Sequence, residues 1–125
     1  MKFNGTIQLT PADLKAIDDA IAYINENYAK AITAEDLSMR FSIRTLELHE
    51  GIKRKTTASL HSYLTEVRIS KAKEFLLSDL AAPIKHIAAL VGYKKQSHFG
   101  EVFKSLVGRT PQEYRLSADP LKGNA

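Results

Sequence analysis

Gln96, Ser97, His98 and Glu101 stand close together in a stretch whose remaining residues are largely apolar and helically spaced. Their chemistry suits the edges of DNA bases. The Gln96 amide can pair with adenine N6 and N7, the Ser97 hydroxyl and His98 imidazole can bond base edges, and the Glu101 carboxylate can accept from cytosine N4. They project together only if the segment is a helix. Phe99, Val102, Phe103 and Leu106 predict one, with a face that must be buried and the four polar residues turned outward. Cations surround it: Lys94 and Lys95 precede the helix, and Lys104 and Arg109 flank its end as candidate phosphate contacts. A lysine at a helix N-terminus opposes the helix dipole, which is easier to tolerate if a phosphate sits nearby. Backbone amides at the same helix start could bind that phosphate.

The elements that must position this helix lie just upstream. Ile84, Ile87, Ala88 and Val91 form the apolar face of a preceding short helix. Gly92 ends it, supplying the left-handed backbone conformation a sharp turn needs, with Tyr93 available to pack behind the turn. Helix, glycine turn and outward-facing helix together make the pattern by which a protein presents a helix to a major groove.

A second copy of the pattern runs from Ile32 to Leu64. Leu37 matches Ile87, Ser38 matches Ala88, Phe41 matches Val91 and Ser42 matches Gly92. After one added residue in the second copy, Leu48 matches Phe99, Ile52 matches Phe103 and Tyr63 matches Tyr114. Two such units in one chain suit a monomer that reads two nearby major-groove segments. The exposed positions of the first copy are Thr45, Leu46, His49 and Glu50, with Arg54 and Lys55 after them as candidate phosphate contacts. This face is chemically poorer. Leu46 could touch only a thymine methyl or a protein, and Glu50 repeats the acid of Glu101. The first helix is therefore expected mainly to position the protein while the second reads sequence.

The motif I-x-x-I-A-x-x-V-G-Y-x-x-x-S-H-F-x-x-x-F-K-x-x-x-G-x-T-P-x-E-Y-R, from Ile84 to Arg115, together with its upstream copy, resembles the DNA-binding domain of AraC/XylS-type transcription regulators. The resemblance spans roughly Ile32 to Arg115. It implies an all-α fold of two helix-turn-helix subdomains, homeodomain-like three-helix units joined by a long linking helix. It also implies a sequence-specific regulator whose partners are double-stranded DNA and RNA polymerase, as the C-terminal part of a longer, effector-responsive protein whose upstream sensor domain is missing here. Ser42 stands where the family usually has the turn glycine, Gly51 where it often has a large apolar residue, and Thr57 where it has a closing glycine. An interior glycine costs a helix about 1 kcal/mol against alanine. With Leu46 and the two glutamates, these departures motivate the alternative: a protein-interaction module that kept the fold with a degenerate first DNA-reading helix.

The remaining sequence sets the frame. At 125 residues and 44% apolar, the chain can build one compact domain or two small lobes. Residues 1–50 carry five basic and eight acidic side chains, residues 51–125 thirteen and six, so the positive excess lies with the stronger motif. The chain has no cysteine, which excludes disulfides and thiolate chemistry and fits a cytoplasmic protein. No apolar run approaches a membrane span. No zinc-type histidine spacing, glycine-rich phosphate loop or nucleophile motif appears, so neither an enzyme nor a cofactor is expected.

Punctuation places the elements. Thr10-Pro11-Ala12-Asp13 starts a leader helix reaching about Tyr28, with Leu14, Ile17, Ile21, Ile24 and Tyr28 as its stripe. Thr33 and Asp36 start the next, and Thr110-Pro111-Gln112-Glu113 is a capping box for the last. A linking helix from about Leu60 to Ser78 should bury Leu60, Tyr63, Leu64, Val67, Ala72, Phe75 and Leu76. At roughly 27 Å it falls somewhat short of one ~34 Å DNA turn, and is expected to fix the spacing of the readers. The expected organisation is a tether and leader helix (1–31), a first unit (32–59), a linking helix (60–82), and a second unit with closing helix (83–116). Residues 1–9 and a tail over 117–125 are expected to be loose.

Overall fold

The computed structural model describes residues 7–117, which form seven α-helices. They are α1 (Pro11–Asn27), α2 (Ala34–Phe41), α3 (Thr45–Thr56), α4 (Leu60–Ser78), α5 (Ile84–Leu90), α6 (Gln96–Val107) and α7 (Pro111–Ser117). There are no strands among the described residues, and none of these helices is long and apolar enough to cross a membrane. The chain divides into two compact units between Thr65 and Glu66, inside α4.

Three threonines start helices as the sequence predicts. Thr10 and Asp13 form a reciprocal box, each side chain bonding the other's backbone N–H at 3.0 Å. Thr33 Oγ1 accepts from the Asp36 N–H at 3.1 Å. Thr110 and Glu113 repeat the box at 2.9 and 3.1 Å. Each satisfies N–H groups that the first helical turn leaves without partners.

The first unit packs α1, α2 and α3 against one another and closes with the first turns of α4. Ala16, Ile17, Ala20 and Ile24 of α1 meet Leu37, Ile43, Leu48 and Ile52, with Leu60 and Leu64 completing the core. The buried face of α1 is thus rotated from the expected stripe. Leu14 is 43% exposed and Ile21 only half-buried, while Ala16 and Ala20 take places against the core. Residues 7–9 are not loose: the Ile7 carbonyl accepts from Arg54, and Leu9 packs on the core. The rest of that expected loose segment, residues 1–6, lies outside the described residues.

The second unit gathers α5, α6, α7 and the remainder of α4. Ile69, Ala72 and Leu76 of α4 are buried there, as are Ile87, Ala88, Val91, Tyr93, Phe99 and Phe103. Ile69 was not expected inside. Val67 and Phe75 are only half-buried, and Tyr63, in the first unit, uses its hydroxyl to bond Asn25 at 2.7 Å. Leu106 is 53% exposed, against the expectation that it completes the α6 stripe, since it lies near the helix end beyond the Phe99–Phe103 contact. Arg115 ties α7 to the end of α4, donating to the Leu76 and Asp79 carbonyls at 3.2 Å each and so satisfying acceptors that a helix C-terminus leaves open. Ser117 belongs to α7, donating to the Tyr114 carbonyl at 2.9 Å; the remainder of the expected tail lies outside the described residues.

Candidate nucleic-acid interface

The two helix–turn–helix segments are built on the same backbone device. In the second unit Gly92 takes φ 104°, and the Tyr93 N–H returns to the Ala88 carbonyl at 2.9 Å. In the first, Ser42 takes φ 54°, and the Ile43 N–H returns to the Ser38 carbonyl at 3.1 Å. A residue with a Cβ in this left-handed region is strained. The Ser38 hydroxyl adds a bond to the Ile43 carbonyl that Ala88, its counterpart, cannot make. The ends repeat too: Thr57 (φ 60°) and Gly108 (φ 88°) cap α3 and α6, their N–H groups bonding Lys53 and Lys104 carbonyls at 2.8 Å. The matched pairs Leu37 and Ile87, Leu48 and Phe99, Ile52 and Phe103 are all fully buried.

These turns throw α3 and α6 outward. On α6, burial of Phe99 and Phe103 fixes the helix rotation, and Gln96, Ser97, His98 and Glu101 all face solvent. The His98 ring does not hang free: it meets the Tyr93 ring edge-on, with centroids 5.3 Å apart. An aromatic row follows from Tyr93 through Phe99 and Phe103 to Tyr114, at 5.6, 5.8 and 5.6 Å, holding α6 against α7.

The amino end of α6 is electrostatically open. Lys95 is its N-cap and makes no side-chain capping bond, the first turn holds no acid, and Lys94 and Lys95 are both exposed. The unsatisfied N–H groups and the helix dipole there favour an anion. Lys104 and Arg109 are also exposed, both close enough to Glu113 to help hold its carboxyl below its ordinary value, after the dominant hydrogen bonds with Thr110.

On α3 the candidate base contacts Thr45, Leu46 and His49 face solvent, with Leu46 60% exposed. Glu50 is half-buried and accepts from Arg54 Nε at 2.7 Å, a geometry its counterpart Glu101 does not share among the described residues. The two candidate phosphate contacts of this helix also have protein partners. Arg54 donates to the Ile7 carbonyl as well as to Glu50, and Lys55 pairs with Asp18 of α1 at 3.0 Å. The N-cap Arg44 makes no side-chain capping bond and pairs with Glu47 at 3.3 Å. The structure therefore leaves Lys94, Lys95, Lys104 and Arg109 exposed around α6 and engages Arg54 and Lys55 of α3 with neighbouring residues.

Sequence reading missed two features of α3. Glu47 is largely covered, and its Oε1 is buried without a hydrogen-bond partner in the first turn, where the helix dipole favours a carboxylate. Gly51 is buried against α1: a Cβ there would fall on Cδ1 and Cγ1 of Ile17 and lie 3.2 Å from Cγ2. Its lack of a side chain is a packing requirement, which spacing within α3 alone could not disclose.

A family model described as a helix-turn-helix domain matches residues 37–117. The HTH-type transcriptional activator RhaS of Escherichia fergusonii is 29% identical over 103 residues, 82% of this chain and 37% of that protein. The raffinose operon transcriptional regulatory protein RafR of Pediococcus pentosaceus is 33% identical over 98 residues, 78% of this chain and 35% of its own length. Among solved structures, the C-terminal domain of AraT, a response regulator from Geobacillus stearothermophilus, aligns with a TM-score of 0.73 and 32% identity over 87% of each chain. The chain spans about a third of the length of the curated relatives it matches.

Proposed function

This chain belongs to the AraC/XylS family of helix-turn-helix transcription regulators, and on that premise we propose that it binds double-stranded DNA sequence-specifically, with α6 as its principal reader. The carrying observation is the rotation of α6. Phe99 and Phe103 are fully buried, so Gln96, Ser97, His98 and Glu101 share the outward side, beside a helix start that bears two exposed lysines and no acid. Gln96 and Ser97 take base edges, His98 and Glu101 extend the contact, and Lys94, Lys95, Lys104 and Arg109 hold phosphates.

In this proposal α3 enters a neighbouring groove segment mainly to fix register. Thr45, Leu46, His49 and Glu50 face the bases, and Arg54 and Lys55 exchange their protein partners for phosphates. Exposed pairs of this kind are worth about 0–1 kcal/mol and exchange readily. The short span of the chain relative to RhaS and RafR supports a further proposal, that it serves as the DNA-binding part of a longer cytoplasmic regulator with a sensor domain upstream. The name of RhaS as an activator supports contact with RNA polymerase in the same way.

A second reading, a protein-docking module, draws on the exposure of Leu46. A salt titration of binding to a labelled duplex by fluorescence anisotropy separates the two. Contacts to several phosphates make the logarithm of the binding constant fall by about 0.9 per contact for each decade of salt. A steep slope is expected for DNA binding; a flat or absent response would favour docking through Leu46.

A further inference from the structure

We infer that Arg68, which lies on α4 and outside both recognition helices, is a positioning residue for base readout by His98, acting through Tyr93. The inference rests on the proposal that α6 reads DNA, and adds a residue that the spacing of the motif does not reveal.

Tyr93 is the connecting piece. It follows the Gly92 turn, its N–H bonds the Ala88 carbonyl at 2.9 Å, and its side chain is only 7% exposed. Phe99, Arg68 and His98 lie against its ring. Phe99 holds it from the core at a centroid separation of 5.6 Å, the Arg68 guanidinium lies 5.5 Å from its centroid, and the His98 imidazole meets it at 5.3 Å with the planes 81° apart. Arg68 is half-buried, one residue from the buried Ile69, so α4 packing fixes its root.

An exposed histidine in the first turn of a helix would ordinarily sample several rotamers. The edge-on contact with Tyr93 restricts His98 to those that keep its ring beside Tyr93, and such contacts favour a T-shaped geometry. Tyr93 can impose that restriction only while its own ring is held. A guanidinium near an aromatic ring is attracted by the ring quadrupole, and Arg68 of α4 adds that hold to the one Phe99 provides. Loss of the Arg68 charge would therefore loosen His98 without touching any base-reading side chain. Readout of a base by a restrained donor costs less ordering on binding than readout by a mobile one.

The test compares Arg68→Met, which keeps bulk and removes charge, with Arg68→Lys, which keeps a cation, each in the wild-type and His98→Ala backgrounds. The sequence preference of each is read by competition anisotropy on a duplex panel carrying every single-base change in the wild-type consensus. Arg68→Met should lower discrimination about two- to tenfold at the position that His98→Ala also relaxes, leave the other positions unchanged, and add nothing in the His98→Ala background. Arg68→Lys should keep most of the discrimination. In the free protein, the His98 imidazole C–H resonances should move in Arg68→Met, a readout that also serves Arg68→Gln if Arg68→Met does not fold. Equal weakening at every position, persistence of the effect without His98, or unmoved His98 resonances would overturn the inference. A wild-type chain that selects no consensus overturns the DNA-reading proposal and this inference with it; a wild-type consensus untouched by Arg68→Met overturns this inference alone.

Discussion

Ile17 of α1 occupies the space that a side chain at Gly51 of α3 would need. The helix that precedes the repeated motif is thereby keyed into the buried face of α3, and a glycine that looks like a defect in α3 is a site of close approach.

That relationship makes a prediction whose sign depends on its partner. Gly51→Ala should destabilise the protein by up to about 2 kcal/mol, because overpacking at about 1–3 kcal/mol is only partly offset by the roughly 1 kcal/mol that alanine gains in a helix. In an Ile17→Ala background, which itself costs about 2–5 kcal/mol, the same change should become neutral or stabilising. Urea unfolding of the four proteins in this double-mutant cycle measures it. A destabilising effect of equal size in both backgrounds would show that Ile17 is not the obstacle.

The left-handed caps make a second prediction. Thr57 carries a β-branched side chain at φ 60°, where Gly108 of the other unit carries none. Thr57→Gly should stabilise by about 0.5–1 kcal/mol, the relief of left-handed strain less the entropy glycine adds to the unfolded chain. Thermal unfolding would register a higher midpoint; a lowered midpoint would mean that the Thr57 hydroxyl bond to the Thr56 carbonyl, at 2.6 Å, matters more than the strain.

Much of this architecture was legible because its signals are local. Threonine caps, the prolines at α1 and α7, Gly92, and both ends of α4 are written within a few residues of where they act. Which apolar residues go inside was less legible. Leu14 and Leu106 match helical spacing yet remain exposed, and Ile69 is buried, because each depends on the partner helix rather than on its own sequence. In the candidate interface, the outward set on α6 followed from Phe99 and Phe103. The ties of Arg54 to Ile7 and of Lys55 to Asp18 join residues far apart in the chain, and no spacing rule within α3 announces them.

The Lys55–Asp18 pair gives a third prediction. Both side chains are about half exposed, so the pair contributes little stability, and Asp18→Asn should change it by under about 0.5 kcal/mol. If Lys55 contacts a phosphate, releasing it should strengthen DNA binding at low salt and remove the charge repulsion of Asp18 near the duplex. Anisotropy at two salt concentrations checks this; unchanged affinity at low salt would remove Lys55 from the interface.

Glu113 sets a pH dependence. Bonds with Thr110, backbone first and then side chain, hold its carboxyl below its ordinary value of 4.5 against partial desolvation, with help from Lys104 and Arg109. A carboxyl lowered on folding stabilises when ionised, so its contribution is complete above 4.5 and is lost as pH falls through the folded value. The difference in thermal midpoint between the wild type and Glu113→Gln should be constant from neutral pH to that point and shrink in stronger acid. A difference that grew on acidification would contradict the sign.

The most direct test of sequence reading by α6 is enrichment of binders from random duplexes, performed with the wild-type chain and with Gln96→Ala. The account predicts a wild-type consensus in which Gln96→Ala relaxes one position by about 1–3 kcal/mol and leaves the salt slope intact. Binding that selects no consensus, or a consensus identical in Gln96→Ala, would contradict it.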